Sequence, residues 1–226
     1  MSCSSADRGA YGRKHARSLG WRVLLVCLLA VGVFASSGCA LFGPGPAGRV
    51  QNAANLEEEE DKREEFLELA WYPHPAMRPE LDKVLRNQQD PCVRALATEA
   101  LGRLGDDESV KLLRRTARED PHWLVRSRAL TWLCNIEGAD ARDEMAWTLK
   151  NDPDALVRSR ATTLAARYLV DEEMHALLLD ALEDPAGEVR MTACVELQDL
   201  TQQSYPPVRR PWQNFLQQDA GSNGSG

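Results

Sequence analysis

A dipeptide that returns at one fixed interval constrains the fold of this chain more than any other feature of its sequence. Four Val-Arg pairs follow one another at intervals of 32 residues: Val93-Arg94, Val125-Arg126, Val157-Arg158 and Val189-Arg190. An Ala follows each Val by four residues, and an Asp-Pro pair precedes it. A period of this size is typical of stacked repeats, in which one unit is too small to bury its own apolar face. The sequence therefore predicts a solenoid and favours a binding surface over an enclosed catalytic pocket.

Each repeat is predicted to contain two helices. From each Val, apolar residues recur at helical spacing, as at Ala97, Leu101 and Leu104 after Val93,. A second stripe lies upstream and begins at Leu81, Leu113, Met145 and Leu177. Between the two stripes, Asp suits an N-cap and Pro suits the first helical turn, so each Asp-Pro predicts the start of the second helix. Because no alternating strand pattern is found, the predicted class is all-α.

The repeated segments point to a family. They are DPCVRALATEALGRLGD, DPHWLVRSRALTWLCNI, DPDALVRSRATTLAARY and DPAGEVRMTACVELQDL. These resemble HEAT repeats of the short bacterial type, which also occur in phycobilin lyase-like proteins. The resemblance covers residues 76–204 and implies a right-handed α-solenoid of about four repeats with capping helices, whose second helices line the concave side. It implies no single activity.

The N-terminus has the features of an export signal. Five basic residues precede an apolar run from Val23 to Phe34, which ends at Ser36-Ser37-Gly38-Cys39,. The last four residues resemble the lipobox of bacterial lipoproteins, which implies that residues 1–38 are removed as a signal peptide and that Cys39 is lipidated. The alternative is an uncleaved anchor, because a bilayer core needs about 20 apolar residues. Both hypotheses place the protein in the cell envelope. The resemblance to bacterial lipoproteins also implies a location, because Ala40 after the Cys favours the periplasmic side of the outer membrane over the inner membrane.

Charge restricts the partners. The whole chain has a net charge of −7, and cleavage before Cys39 would remove five basic residues and one acidic residue, leaving −11. Nucleic-acid binding requires a basic footprint, so no nucleic-acid partner is expected.

The rest of the chain divides into four predicted segments. Residues 39–54 form the lipidated Cys and a flexible linker, and residues 55–72 form an acidic N-terminal capping helix opened by Asn55 and Glu58,. Residues 76–204 form the solenoid. Residues 205–226 form a C-terminal cap segment and a disordered tail from Gly221.

Catalytic motifs are not found in the sequence. Three histidines lie in separate units and none is followed by Glu, so the His-Glu motifs that carry iron in HEAT-type hydroxylases are absent: His74, His122 and His175. The spacing of Cys92, Cys134 and Cys194 predicts no disulfide within the chain, and their odd number leaves a bridge to another molecule as the alternative,. The sequence therefore predicts a protein that is not an enzyme, with no cofactor, metal site or evident small-molecule substrate.

Two sets of side chains are candidates for defined roles. The first is an Asp–Arg ladder between repeats, in which each guanidinium binds Asp caps or helix-terminal carbonyls; its members are Asp90, Arg94, Asp120, Arg126, Asp152, Arg158, Asp184 and Arg190,. The second is a protein-binding groove of small residues edged by Arg, made by Arg103, Ser127, Arg128, Thr131, Ser159, Arg160, Thr163 and Arg167,. For the four Arg of the second set, surface salt bridges are the competing interpretation.

The resulting hypothesis is a membrane-anchored, extracytoplasmic HEAT-repeat scaffold or adaptor that binds unknown protein partners. One alternative is a lyase-like enzyme or an enzyme accessory factor. The other is a structural protein of the envelope.

Overall fold

The computed structural model describes residues 44–223, so the predicted signal peptide and lipidation at Cys39 lie outside the described residues. Within them the chain forms eleven α-helices and two short 3-10 helices, and no strand. The α-helices are α1 Pro46–Ala54, α2 Glu59–Trp71, α3 Arg78–Asn87, α4 Pro91–Leu104, α5 Asp107–Glu119, α6 Trp123–Glu137, α7 Arg142–Asn151, α8 Ala155–Tyr168, α9 Asp171–Ala181, α10 Gly187–Thr201 and α11 Arg209–Asn223. The predicted all-α class is confirmed. None of the helices in this part of the chain is long and apolar enough to cross a membrane.

The helices are arranged as five antiparallel pairs followed by α11. The second helices, α2, α4, α6, α8 and α10, pack directly on one another in one row. The first helices form a parallel row and approach one another less closely. Because the row of second helices is the tighter one, it forms the inner layer of an α-solenoid.

The core is a continuous seam between these rows rather than a central cluster. The Val and the following Ala of every repeat are buried, and so are Leu81, Leu113 and Met145 on the first helices. Gly102 lies where α4 closely approaches Trp132 of α6, because a Cβ added there would lie 2.1 Å from a ring atom of Trp132. Small residues at these positions allow neighbouring helices to pack closely.

The structure contains one repeat more than the sequence predicted, and this repeat begins in the segment predicted as a linker. Residues 46–54 form α1, in which Val50 and Ala53 are buried. The helices α1 and α2 begin 32 residues before α3 and α4, so they form a fifth repeat at the same period. This repeat carries Asp61-Lys62 where the others carry Val-Arg, and it has no Asp-Pro, which explains why the sequence pattern did not reveal it.

The start of α2 also differs from the prediction. It begins at Glu59, and Asn55 lies at the C-terminal end of α1 instead of opening the next helix. Glu58 is the N-cap residue, but its side chain makes no capping hydrogen bond. The predicted capping-box start is therefore wrong.

The Asp-Pro turns differ from the prediction in three of the four repeats. Only Asp90 acts as a helix N-cap, because its side chain accepts from the Cys92 amide. In the later repeats the N-cap lies two residues after the Asp, as at His122 and Asp154. The reason is the spacing, since Asp-Pro lies two residues closer to the Val in the first of these repeats than in the others.

The C-terminal end of the solenoid is covered by α11. Trp212 is fully buried, donates its indole N–H to the Pro206 carbonyl and meets the Tyr205 ring edge-on at 5.1 Å. The tail predicted from Gly221 onward is wrong for residues 221–223, which belong to α11.

Candidate functional site

A ladder of buried ion pairs fixes the second helices relative to one another, and Arg126 at its centre shows the geometry. Its Nε and Nη2 donate to the two carboxylate oxygens of Asp152, each at 2.8 Å. Its Nη1 donates to the carbonyls of Asp120 and Pro121 in its own repeat. The Arg126 and Asp152 side chains are only 7% and 1% exposed. Bidentate pairing in this geometry is the strongest form of charge-assisted hydrogen bond.

The same arrangement of one Arg and one Asp, here called a rung of the ladder, recurs in the neighbouring repeats. Arg94 binds Asp120 and Arg158 binds Asp184, both through Nε and Nη2 at 2.8 to 2.9 Å. Each of these Asp residues also accepts the amide N–H of the residue two positions later, as Asp184 does from Ala186. Each carboxylate therefore ties a turn of its own repeat to the second helix of the preceding repeat.

These contacts affect the titration of the ladder. Hydrogen bonding to Asp152 outweighs burial and raises the pKa of Arg126 above its ordinary value. Burial would raise the pKa of Asp184, but hydrogen bonds from Arg158 and the Ala186 amide hold that pKa below its ordinary value,. The carboxylate of Asp184 is therefore stabilised in its charged form.

The ladder has a different rung at each end. In the last repeat, Arg190 donates to the carbonyls of Asp184 and Pro185. At the other end Arg63, which the sequence pattern did not single out, donates from Nε to Asp90 at 2.6 Å. Lys62 stands one period before Arg94, but it binds Glu59 of its own helix. The Arg63 rung is out of register with the repeat, so the period could not have revealed it.

The Arg residues predicted to bind partners lie on the solvent-facing side of the second helices, here called the B-helix face. Arg103 and Arg128 are brought together around one carboxylate, because both lie near Glu99, at 3.1 and 3.6 Å. Arg160 and Arg167 lie on α8 and are exposed, with the Arg167 guanidinium 5.4 Å from the centre of the Tyr168 ring. The structure therefore divides the predicted stripe into two clusters.

The small residues of the predicted groove are half-buried between neighbouring helices. Thr131 donates its hydroxyl to the carbonyl of Ser127, and the hydroxyls of Ser159 and Thr192 lie 2.7 Å apart. Thr163 is half-buried on α8. These residues form the seams of the B-helix face more than a groove floor.

A depression on the B-helix face lies nearer the N-terminus than the predicted groove. This depression of about 390 Å³, here called the N-terminal groove, opens between α2, α4 and α6. It is lined by Arg63, Leu67, Ala70, Trp71, Cys92, Ala95, Leu96, Glu99, Arg103, Leu124 and Arg128. The Arg103 guanidinium lies 4.2 Å from the centre of the Trp71 ring and 5.9 Å from that of Trp132. Sequence reasoning missed this groove because it assigned Trp71 to a terminal cap.

The histidines do not converge on a metal-binding set. The ring nitrogens of His74 and His122 accept backbone N–H groups at the start of helices, and His175 lies on α9. Among residues 44–223 no three His, Cys, Asp or Glu side chains are grouped to hold a metal ion. The described residues therefore do not fit the iron site of the HEAT-type hydroxylases.

The cysteines of the described part are free thiols. Burial, with a smaller effect of Glu137 and Glu144, raises the pKa of Cys134 to about 12. Burial also raises the pKa of Cys194. Cys92 is only half-buried and lines the N-terminal groove.

Comparison with known proteins identifies the repeat. Residues 48–134 match the family described as HEAT repeats, and this stretch includes the helix pair that the sequence pattern had assigned to linker and cap. Residues 44–223 therefore form an α-solenoid whose first part is similar to HEAT repeats. The described residues contain five helix pairs, one more than predicted.

A curated relative is an enzyme. A stretch of 49 residues is 51% identical to deoxyhypusine hydroxylase of Saccharomyces cerevisiae, and it covers 21% of this chain and 15% of the relative. The chain therefore spans less than a sixth of that protein. This likeness to an enzyme contradicts the prediction that the chain is not an enzyme. That prediction relied on missing catalytic motifs, and such motifs do not report how similar the repeats are to those of an enzyme.

Proposed function

We propose that this chain is a HEAT-repeat scaffold that binds protein partners along the B-helix face. The observation that carries the proposal is the placement of Arg103, Arg128, Arg160 and Arg167 on that face. They form its cationic part in a protein whose net charge is −7. Such side chains can pair with partner carboxylates despite the net charge, because screening limits its reach to about 8 Å at physiological salt.

The ladder supports this proposal by making the face rigid. Each of the three central rungs ties a second helix to the next repeat through a bidentate pair and also makes two carbonyl contacts, so the exposed Arg are presented at fixed spacing. A preorganised surface loses less conformational entropy on binding than a flexible one. Rigid spacing also favours an extended or helical partner that contacts several repeats at once.

The test is capture of partners by the full chain in native membranes, using a crosslinker and mass spectrometry. Replacing Arg128 and Arg160 together with Glu should eliminate partner capture and leave the melting curve nearly unchanged, because neither side chain belongs to the ladder. A matched control replaces Lys111 and Lys150, which are exposed on the first helices, with Glu. Capture that survives the first pair of changes and fails in the second would move the site to the opposite face.

We also propose that the scaffold is held in the cell envelope by lipid on Cys39. The support is the sequence Ser36-Ser37-Gly38-Cys39 after a basic and apolar lead, all of it outside the described residues,. Cys39→Ala should abolish fatty-acid labelling and block conversion to the shorter form. Unchanged labelling and size in that variant would reject lipidation and favour the uncleaved anchor.

A second candidate function is an enzyme or enzyme accessory, favoured by the 49-residue likeness to deoxyhypusine hydroxylase. Its test is incubation of the purified chain with a protein that carries deoxyhypusine, alone and together with the hydroxylase. Gain of one oxygen atom, measured by mass spectrometry, would support an enzyme. A changed rate only when the hydroxylase is present would support an accessory factor.

A further inference from the structure

We infer that the N-terminal groove is a docking site for a peptide segment that carries a large apolar side chain next to carboxylates. This inference rests on the proposed scaffold function and names the partner chemistry of one part of its face. The groove was not among the predicted binding residues, apart from Arg103 and Arg128 at its edge.

The first argument is exposed apolar surface in a concave place. Leu67 and Trp71 on α2 are 49% and 58% exposed, although both line the groove. Leu96 and Leu124 are half-buried on its other walls. Large apolar side chains that remain exposed in a depression mark surfaces that bind other molecules. Burying them against a partner would be favourable in proportion to the area removed from water.

The second argument is charge complementarity. Three Arg line the groove, and its one carboxylate is Glu99. Glu99 already accepts the indole N–H of Trp132 at 3.0 Å and the guanidinium of Arg103. The side chains of Arg63 and Arg128 are each half-exposed, so both retain donors toward solvent. The three Arg of the groove thus attract the carboxylates of a partner, while the groove's own carboxylate, Glu99, already accepts hydrogen bonds from Trp132 and Arg103.

The third argument is the fixed orientation of Arg103. Its guanidinium lies over the Trp71 ring and is also bonded to Glu99, so it cannot swing freely into solvent. Arg stacked on an aromatic ring keeps its donors in the plane of the guanidinium. Nε and Nη2 of Arg103 already contact Glu99, so Nη1 is the donor that faces a partner carboxylate. An apolar side chain contacting Trp71 would bring the adjacent backbone and any flanking Asp or Glu beside this Arg. That geometry suits a peptide better than a small molecule, because the groove is open along one side,.

The experiment is selection from a library of short random peptides displayed on phage, with the full chain as bait. Selected peptides should be enriched in Asp and Glu next to Leu, Phe or Trp. Labelled copies of these peptides should lose affinity at least about tenfold for Trp71→Ala and for Arg128→Glu, measured by fluorescence anisotropy. Lys111→Glu and Trp123→Ala are the matched controls outside the groove and should bind as the wild type does.

Several results would overturn the inference. Selection of basic peptides, no enrichment over the Trp71→Ala bait, or equal affinity in all four variants would each do so. The failure can be separated from that of the scaffold proposal by the native capture experiment. Partners lost on reversing Arg128 and Arg160 but retained by Trp71→Ala would keep the scaffold and reject the groove.

Discussion

Truncation of Arg126 to Ala is the most direct test of the ladder. The change would leave the Asp152 carboxylate, only 1% exposed, with the Asp154 amide as its remaining partner. It would also remove the donor shared by the carbonyls of Asp120 and Pro121. Breaking a buried ion pair from one side costs about 3–5 kcal/mol, because the other charge stays buried without compensation. The expected loss of unfolding free energy for Arg126→Ala is therefore about 3–5 kcal/mol.

Exposure predicts a gradient along the ladder. Arg94 is as buried as Arg126 and should be about as costly to truncate, whereas Arg158 is slightly more exposed and should cost somewhat less. Arg63 is half-exposed, so its truncation should cost less than that of any of these three. Truncation of Arg128 on the B-helix face should cost at most about 1 kcal/mol,. The assay is urea unfolding followed by circular dichroism.

The shape of the unfolding transition and a double-mutant cycle extend the test. Repeat arrays are held together by nearest-neighbour interfaces, so loss of the central rung should broaden the transition or split it in two. A double-mutant cycle with Asp152→Ala should show that the second truncation adds little after the first. Equal losses below about 1 kcal/mol for Arg126→Ala and Arg128→Ala would refute the assignment of the ladder as the main fixing element.

Three further predictions follow from single residues. Because the pKa of Asp184 is held below its ordinary value of 3.8, its contribution to stability is present above that pH and lost as pH falls through the folded-state pKa,. Acid titration of unfolding free energy should therefore show a smaller loss below about pH 4 in Asp184→Asn than in the wild type. Gly102→Ala should lower the melting temperature and cost about 1–3 kcal/mol, because the new methyl group would collide with Trp132; an unchanged melting curve would contradict this contact,. In alkylation followed by peptide mapping, Cys92 should react well before Cys134, whose pKa of about 12 leaves almost no thiolate; the reverse order would show that the buried helix opens readily,.

The fold could be predicted from the sequence because the core and the Asp–Arg ladder each require particular residue types at fixed positions of every Val-Arg repeat. Val125 and Ala129 must be apolar and small to lie between helices, and Arg126 must be Arg to hold a carboxylate in the next repeat. These demands recur every 32 residues and therefore leave a visible period. The acceptor of each Arg was less evident, since Asp152 lies 26 residues away and is reached only when the repeats stack.

The first repeat could not be predicted in the same way, because it stands at an end. Its α2 carries Asp61-Lys62 at the Val-Arg position and no Asp-Pro precedes it, so two of the marks that define the other repeats are missing. What remains is the helical spacing of Val50 and Ala53, which is too short a signal to be distinguished from a linker,. The N-terminal groove depends on α2, so it was missed together with that repeat.

The ladder and the B-helix face use different positions of the same helices, and this separation has a functional consequence. The ladder fixes the residue that follows each Val, while the face is built from positions three, six and ten residues after it. Those three positions hold Leu96, Glu99 and Arg103 on α4, but Arg160, Thr163 and Arg167 on α8. Because none of these six side chains is fully buried in the core, their positions can change from repeat to repeat at small cost in stability,. The last repeat illustrates this, since α10 places Thr192, Val195 and Asp199 there and bears no exposed Arg on the face. A partner that follows the row of second helices would therefore meet apolar and cationic surface at α2 to α6 and cationic surface at α8. At α10 it would meet the exposed side chains of Val195 and Asp199 and no Arg on the face. The proposed binding would then have a direction along the solenoid, with its apolar anchor at the N-terminal groove.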